Sequence, residues 1–131
     1  MNEYIKHIVT GLILGDAYVA RSFGNSGRSM LDIKGDAKYL PYLIWLHREL
    51  NPIGVSELKL KKGYHQYRFV TKTSKEIGDL RRFFYPDGIK TIPDSIISMF
   101  KSPLTLAVWY QDDGHLDCRS KYHLQYGICH P

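Results

Sequence analysis

Two aspartates stand out because each follows a long apolar run and because the arrangement occurs twice. Asp16 follows "VTGLILG", and Asp113 follows "LTLAVWYQD" and precedes a glycine. If each run is a helix, its acid lies at the C-terminal end, where the helix dipole disfavours negative charge. A residue placed where local structural preferences disfavour it, with no evident gain in stability, often marks a functional site. The pattern therefore indicates two functional acids, with 113 − 16 = 97 positions between them.

Positive charge is concentrated in one stretch of the chain. The net charge of +5 and the pI of about 9.2 are by themselves weak indications of a nucleic-acid partner. Residues 59–72, "KLKKGYHQYRFVTK", however, hold five of the 18 basic residues and no acid, with three aromatic residues interleaved. This distribution is typical of a surface that binds a polyanion.

The remaining composition favours an intracellular globular domain. No apolar stretch reaches the ~18 residues that a membrane helix needs, and the first residues, "MNEYIKH", lack the features of a signal peptide. Two cysteines give no disulfide framework. We expect no membrane association and an intracellular location, in an organelle (mitochondrion or chloroplast) or in a bacterial cytoplasm.

Apolar periodicity predicts the elements that must position these residues. Gly11 and Gly15 lie four apart, on one face of the first predicted helix, which indicates close approach of a second backbone. The pattern predicts helices over 4–15, 37–50, 74–84 and 93–100, paired strands over 17–22 and 28–35 and over 56–62 and 64–72, and then a second apolar run over 104–116 followed by a strand over 121–128.

The two copies, "VTGLILGDA" and "LAVWYQDDG", resemble the LAGLIDADG motif of homing endonucleases. Ala17 departs from the motif, where the final glycine is replaced. "LAVWYQDDG" together with "KTIP" resembles the two-motif, intron-encoded meganuclease branch of that family.

The resemblance implies an α+β fold, αββαββα, with a four-stranded antiparallel DNA-binding saddle. Residues 1–101 would form the first LAGLIDADG domain, and residues 102–131 the second motif helix and first strand of an incomplete second repeat. In this family the two motif helices pack side by side, which would account for Gly11 and Gly15. Asp16 and Asp113 would then meet at the end of the helix pair, facing the DNA.

The resemblance also implies the chemistry. Two adjacent carboxylates repel unless cations neutralise them, and Mg²⁺ suits carboxylate and phosphate oxygens. We expect Asp16 and Asp113 to be catalytic metal ligands for Mg²⁺ or another divalent cation such as Mn²⁺, with Ca²⁺ able to occupy the site without supporting cleavage. Lys90, in "GIKTIP", matches the segment that supplies the active-site lysine of this branch.

Successive side chains of a strand point to opposite faces. This alternation, or strand parity, selects the residues expected to contact DNA in the major groove. The saddle's solvent side would carry ten of them: Tyr18, Ser22, Arg28, Asp32, Lys34, Lys59, Lys61, Gln66, Arg68 and Lys72.

The implied function is site-specific double-strand DNA cleavage, completed by a second polypeptide that supplies the rest of the second domain. The alternative is a non-catalytic nucleic-acid binder, such as an intron-splicing maturase or a DNA-binding regulator. A zinc site of His115, Cys118, Cys129 and His130 is disfavoured, because Cys129 and His130 are adjacent on a predicted strand and point to opposite faces.

Overall fold

The computed structural model describes residues 1–21, 26–63, 65–92, 95 and 102–111. Its helices and strands follow the predicted order of a helix, a hairpin, a helix, a second hairpin and further helices. The elements are α1 (Glu3–Leu14), β1 (Tyr18–Ala20), β2 (Met30–Asp36), α2 (Leu40–Glu49), β3 (Lys59–Lys61), β4 (Gln66–Val70), α3 (Lys75–Phe84) and α4 (Pro103–Trp109).

The four strands form one antiparallel sheet with the order β1-β2-β4-β3. The predicted fold class, α+β with a four-stranded antiparallel sheet, is confirmed. Successive side chains of a strand point to opposite faces, and Ile33 lies opposite Phe69 in the β2–β4 register, both buried. Their neighbours Lys34 and Arg68 are also paired, and both are exposed. One face of the sheet therefore covers the core and the other is open to solvent.

Helix α1 supplies the centre of the core. Asn2 caps its start by accepting a hydrogen bond from the Ile5 N–H at 2.8 Å. The three-four spacing of its apolar residues places Ile8, Leu12 and Ile13 at complete burial. The predicted range, 4–15, differs from the observed one by a single residue at each end.

Helix α2 begins later than predicted. Residues Ala37–Tyr39 form a short 3₁₀ turn, capped by Asp36, and the α-helix starts at Leu40 with Pro41 in its first turn. Proline has no N–H to donate, so it fits only where the helix needs none. Gly35 lets α2 approach β2, because a Cβ there would lie 2.8 Å from a methyl carbon of Leu43.

Helix α3 begins as predicted from a serine cap. The Ser74 hydroxyl accepts from the Ile77 N–H at 3.0 Å, and Ile77, Leu80 and Phe84 turn into the core. Among the described residues, no helix is both long enough and apolar enough to cross a membrane. The predicted helix over 93–100, apart from Ser95, and the predicted strand over 121–128 lie outside the described residues. The proposed division at residues 101 and 102 stays a prediction.

Candidate active site and nucleic-acid interface

Helices α1 and α4 make a close backbone contact at Gly11. A Cβ on Gly11 would lie 2.6 Å from the Thr105 carbonyl oxygen and 2.9 Å from the Val108 Cβ. Both distances are too short for any side chain, so the contact requires glycine. The Thr105 hydroxyl, itself fully buried, donates to the His7 carbonyl at 3.0 Å. The close approach of a second backbone that was predicted at Gly11 is thus present between α1 and α4.

These contacts run parallel along both helices and keep the spacing of the sequence repeat. His7 meets Thr105, an offset of 98 residues. Gly11 meets Thr105 and Val108, offsets of 105 − 11 = 94 and 108 − 11 = 97 residues. The separation between the two motif acids, 113 − 16 = 97 residues, falls within this range. The seam between α1 and α4 therefore aligns the two motif copies side by side and in register as far as the described residues extend.

Asp16 is exposed just beyond the C-terminal end of α1, and Lys90 reaches the same place from the segment after α3. The Lys90 Nζ donates to the Gly15 carbonyl at 2.7 Å and to the Ala17 carbonyl at 3.3 Å. A cation is attracted there because the last carbonyls of a helix are the negative end of its dipole. The structure thus brings two predicted catalytic residues together from positions 74 apart (90 − 16). The third, Asp113, lies outside the described residues.

The Asp16 carboxylate at this helix end supplies oxygen ligands, the class that Mg²⁺ prefers. The Gly15 and Ala17 carbonyls beside it accept hydrogen bonds from Lys90 Nζ. In the described part of the chain no three His, Cys, Asp or Glu side chains are grouped as a metal site, and the second predicted acid falls beyond that part. Gly15 forms the C-cap of α1, and its predicted contact with α4 stays a prediction.

The open face of the sheet carries the residues that parity selected for DNA binding. Nine of the ten are described. Asp32 and Gln66 are half-buried. The exposed members are Tyr18, Arg28, Lys34, Lys59, Lys61, Arg68 and Lys72. Ser22 lies outside the described residues, and contact with DNA stays a prediction for all ten.

A row of three cations crosses the middle of this face. Lys34 on β2 pairs with Arg68 on β4, and Arg68 pairs with Lys59 on β3. Asp32 accepts two hydrogen bonds from Arg68, from Nε and from Nη2, each at 2.9 Å. This hydrogen-bonded contact with Asp32 raises the pKa of Arg68 above its usual value. The carboxylate therefore neutralises part of a row whose like charges would otherwise repel.

Two other basic candidates, at the margin of the face, have side chains that contact the main chain. Arg28 Nη2 donates to the Thr73 carbonyl at 3.0 Å. The Lys72 stem packs over Gly54, where an added Cβ would lie 2.6 Å from its Cδ. Both cationic side chains remain exposed at the surface.

The sequence interpretation missed two residues that close the outer edge of β1. Arg81 Nη1 donates to the Val19 carbonyl at 2.5 Å, and the Tyr85 hydroxyl accepts from the Val19 N–H at 3.4 Å. The Arg81 guanidinium also lies over the Tyr85 ring, 4.6 Å from its centroid, and burial raises the pKa of Tyr85. Their spacing of four, from the last turn of α3 to its C-cap residue Tyr85, was the available signal. Since a free strand edge invites pairing with other chains, this pair protects the sheet.

Comparison with known proteins places these features in one family. The model of the LAGLIDADG DNA endonuclease family matches residues 6–128, which span both motif copies. The chain belongs to this family. In the solved structure of the homing endonuclease I-WcaI bound to its DNA recognition sequence, the fold is similar, with a TM-score of 0.63 and 20% identity over 92% of this chain and 55% of that one.

Two curated relatives extend the comparison. This LAGLIDADG chain is 27% identical over 124 residues to the cytochrome b mRNA maturase bI2 of Debaryomyces hansenii, covering 87% of this chain and 47% of that protein. It is 32% identical over 116 residues to a RecA protein of Mycolicibacterium fallax, covering 87% of this chain and 26% of that protein. The chain thus spans half or less of the curated relatives described.

Proposed function

We propose that this chain is part of a site-specific DNA endonuclease that binds a long duplex target and hydrolyses both strands with a divalent metal. The single observation that carries the proposal is the seam between α1 and α4. Its contacts have offsets of 94, 97 and 98 residues, a range that includes the 113 − 16 = 97 residues between the two motif acids. Continued by one more turn and a half, the same register would bring Asp113 beside Asp16.

Asp16 and Asp113 would hold Mg²⁺ through their carboxylate oxygens. When bound, such a cation lowers the pKa of water and stabilises charge on phosphate oxygens. Lys90 contributes a positive charge beside Asp16, with its Nζ 2.7 Å from the Gly15 carbonyl. An ammonium group there can bind a non-bridging phosphate oxygen and offset the charge that develops on it.

The open sheet face is the proposed DNA-binding surface. A two-stranded ribbon fits the major groove of B-DNA, and β3 with β4 forms such a ribbon with Lys59, Lys61 and Arg68 exposed along it. Lysines on this face would neutralise phosphates, a contribution that is independent of sequence and weakens with salt. Because the face continues from Tyr18, only two residues after Asp16, DNA bound to the sheet would pass over the end of the seam.

We further propose that a second polypeptide completes the saddle. Support comes from the far side of α4, where Leu106 and Tyr110, one turn apart, are 53% and 56% exposed. Large apolar side chains grouped on one helix face are typical of a surface that another chain covers. In a completed assembly this side of α4 would pack against the matching half.

The second candidate function is nucleic-acid binding without cleavage, as in RNA splicing. The observation that favours it is the similarity to a protein named as a cytochrome b mRNA maturase. The two functions share the cationic sheet face and differ in what the seam does, because a binder needs no paired acids.

The test is to express the chain, identify by size-exclusion chromatography and mass analysis any polypeptide that travels with it, and challenge the isolated assembly with a library of duplex targets. Sequence-specific double-strand cleavage that needs Mg²⁺ and disappears in Asp16→Asn would support the nuclease. Stable, specific binding of duplex DNA or of intron RNA without cleavage by an assembly that contains its second half would favour the alternative. Specific cutting by a monomer of the chain alone would contradict the proposed second polypeptide.

A further inference from the structure

The contact between Asp32 and Arg68 is the most specific polar arrangement on the sheet face. The guanidinium group and the carboxylate meet through two parallel hydrogen bonds, Nε to Oδ1 and Nη2 to Oδ2, both 2.9 Å long. The Asp32 side chain is only 12% exposed, whereas that of Arg68 is 46% exposed. The carboxylate is thus largely shielded from solvent, whereas the guanidinium is still accessible to it.

Counting donors shows what remains available to a ligand. An arginine has five N–H donors in a fixed plane, and two of them are used by Asp32. The remaining three are both hydrogens on Nη1 and one on Nη2. One from each nitrogen forms a coplanar fork on the side facing away from the carboxylate. Such a fork matches the O6 and N7 acceptors of guanine in the major groove.

The charge of the cross-strand row explains the value of a carboxylate beside Arg68. Arg68 lies between Lys34 and Lys59 in the cross-strand register. A free arginine in that row could turn to any phosphate, because guanidinium groups bind phosphate as readily as bases. The bidentate contact fixes the plane of the guanidinium, and the pair of Asp32 and Arg68 has no net charge. Phosphate binding is then left to the two lysines.

We propose that Asp32 is a positioning residue that presents Arg68 to a guanine base, so that the pair determines specificity at one base pair of the target. The inference rests on the proposed DNA-binding function and adds to it a division of labour on the sheet face. In this arrangement Asp32 acts through Arg68 and does not read a base directly, because its side chain is only 12% exposed. This differs from the sequence prediction, which grouped Asp32 with the direct contacts.

The test compares four proteins by selection on randomised duplexes and by the salt dependence of binding. These are the parent, Asp32→Asn, Arg68→Lys and the control Glu57→Gln. The control removes one negative charge from an exposed acid that lines the same hollow beside Arg68. It leaves the contact between Asp32 and Arg68 intact. Circular dichroism checks that each variant is folded.

We expect the parent to prefer guanine about tenfold or more at one position. In Asp32→Asn that preference should fall to about threefold or less, since the guanidinium loses its fixed plane. Affinity for unrelated duplexes should rise, with the salt slope steeper by about 0.9, because the released arginine can contact a phosphate. Arg68→Lys keeps the charge and loses the fork, so it should lose the preference too. Glu57→Gln should keep it.

In Asp32→Asn the guanine preference should fall while the affinity for unrelated duplexes rises. These opposite changes separate a positioning role from a merely structural one. A structural defect would weaken binding to every sequence together. The proposal is overturned if Asp32→Asn keeps the guanine preference, or if it loses affinity uniformly. If Asp32→Asn does not fold, Asp32→Ser takes its place, and a retained guanine preference in that variant overturns the proposal. A parent that does not bind duplex DNA at all would instead contradict the proposed function.

Discussion

The seam between α1 and α4 and the open face of the sheet meet near Asp16, yet different interactions dominate in each. At the seam, an added Cβ on Gly11 would lie 2.6 Å from the Thr105 carbonyl oxygen, so close packing limits which residues can be accommodated. On the sheet face, Lys34, Lys59 and Arg68 are exposed, so charge limits which ligands can bind. Interactions that depend on close packing fail abruptly when a residue changes. Exposed charges change their contributions by small steps.

The largest effect is expected where the seam ends. In the cleavage-competent assembly, Asp16→Asn should reduce the cleavage rate by about 1,000-fold or more, equivalent to roughly 4 kcal/mol, because it removes a ligand's charge with little change of volume. Affinity for DNA should stay within about twofold, or 0.4 kcal/mol. Single-turnover cleavage and gel-shift binding measure the two quantities. The control is Asp87→Asn, in the exposed turn after α3. Near-parental cleavage by Asp16→Asn would contradict the metal assignment.

The next effect concerns Lys90, which links the seam to the chemistry. Lys90→Met keeps the length of the side chain but removes the ammonium that contacts the Gly15 and Ala17 carbonyls. We expect cleavage to fall by about 100-fold, as for other groups that stabilise a charged transition state. The free energy of unfolding should fall by about 1 kcal/mol for the lost hydrogen bonds. If stability falls while cleavage stays unchanged, Lys90 only caps α1.

Features that depend on local sequence were predictable. Alternation along β2 places Leu31 and Ile33 inside and Lys34 outside because the side-chain period of a strand is two. The position of Gly11 in a repeated apolar run predicts a close helix contact, and the structure has one. The start of α2 was predicted three residues too early, since the 3₁₀ turn over Ala37–Tyr39 has helix-like composition. In each case the deciding interactions lie within a few residues along the chain.

Features that join distant positions were not predictable in the same way. The Asp32–Arg68 contact spans 36 residues and depends on the register between β2 and β4, which parity leaves open. The edge contacts from Arg81 and Tyr85 to Val19 span 62 and 66 residues and depend on where α3 lies against β1. The resemblance to a family pointed to Lys90, whereas its contact with the Gly15 carbonyl, 75 residues away, required the fold.

A direct test of the steric principle is Gly11→Ala. The substitution should favour the helix by about 1 kcal/mol through propensity, but the new Cβ would meet a backbone carbonyl that cannot rotate away. We expect a net loss of about 2 kcal/mol in the free energy of unfolding, measured with urea. The control is Gly63→Ala, where an added Cβ would meet no described atom within 4 Å other than those of its chain neighbours, and the φ of +85° alone should cost about 1 kcal/mol. Unchanged stability in Gly11→Ala would mean that α4 can move away from α1.

The smallest effect is expected on the open face, and it tests whether charge there acts independently of sequence. Lys59→Ala removes one exposed cation of the cross-strand row. If Lys59 contacts a phosphate, affinity should fall by about 1 kcal/mol for specific and unrelated duplexes alike, and the salt slope should decrease by about 0.9. Base preference should not change, in contrast with the variants of Asp32 and Arg68.

The matched control is Lys6→Ala, an exposed lysine of α1 that lines a groove with Glu76 and Asp79, away from the sheet face. Because Lys6 carries the same charge, its removal lowers the net charge equally and should leave the slope unchanged. Equal losses in the two variants would mean that net charge, and not this row of the sheet, attracts the DNA.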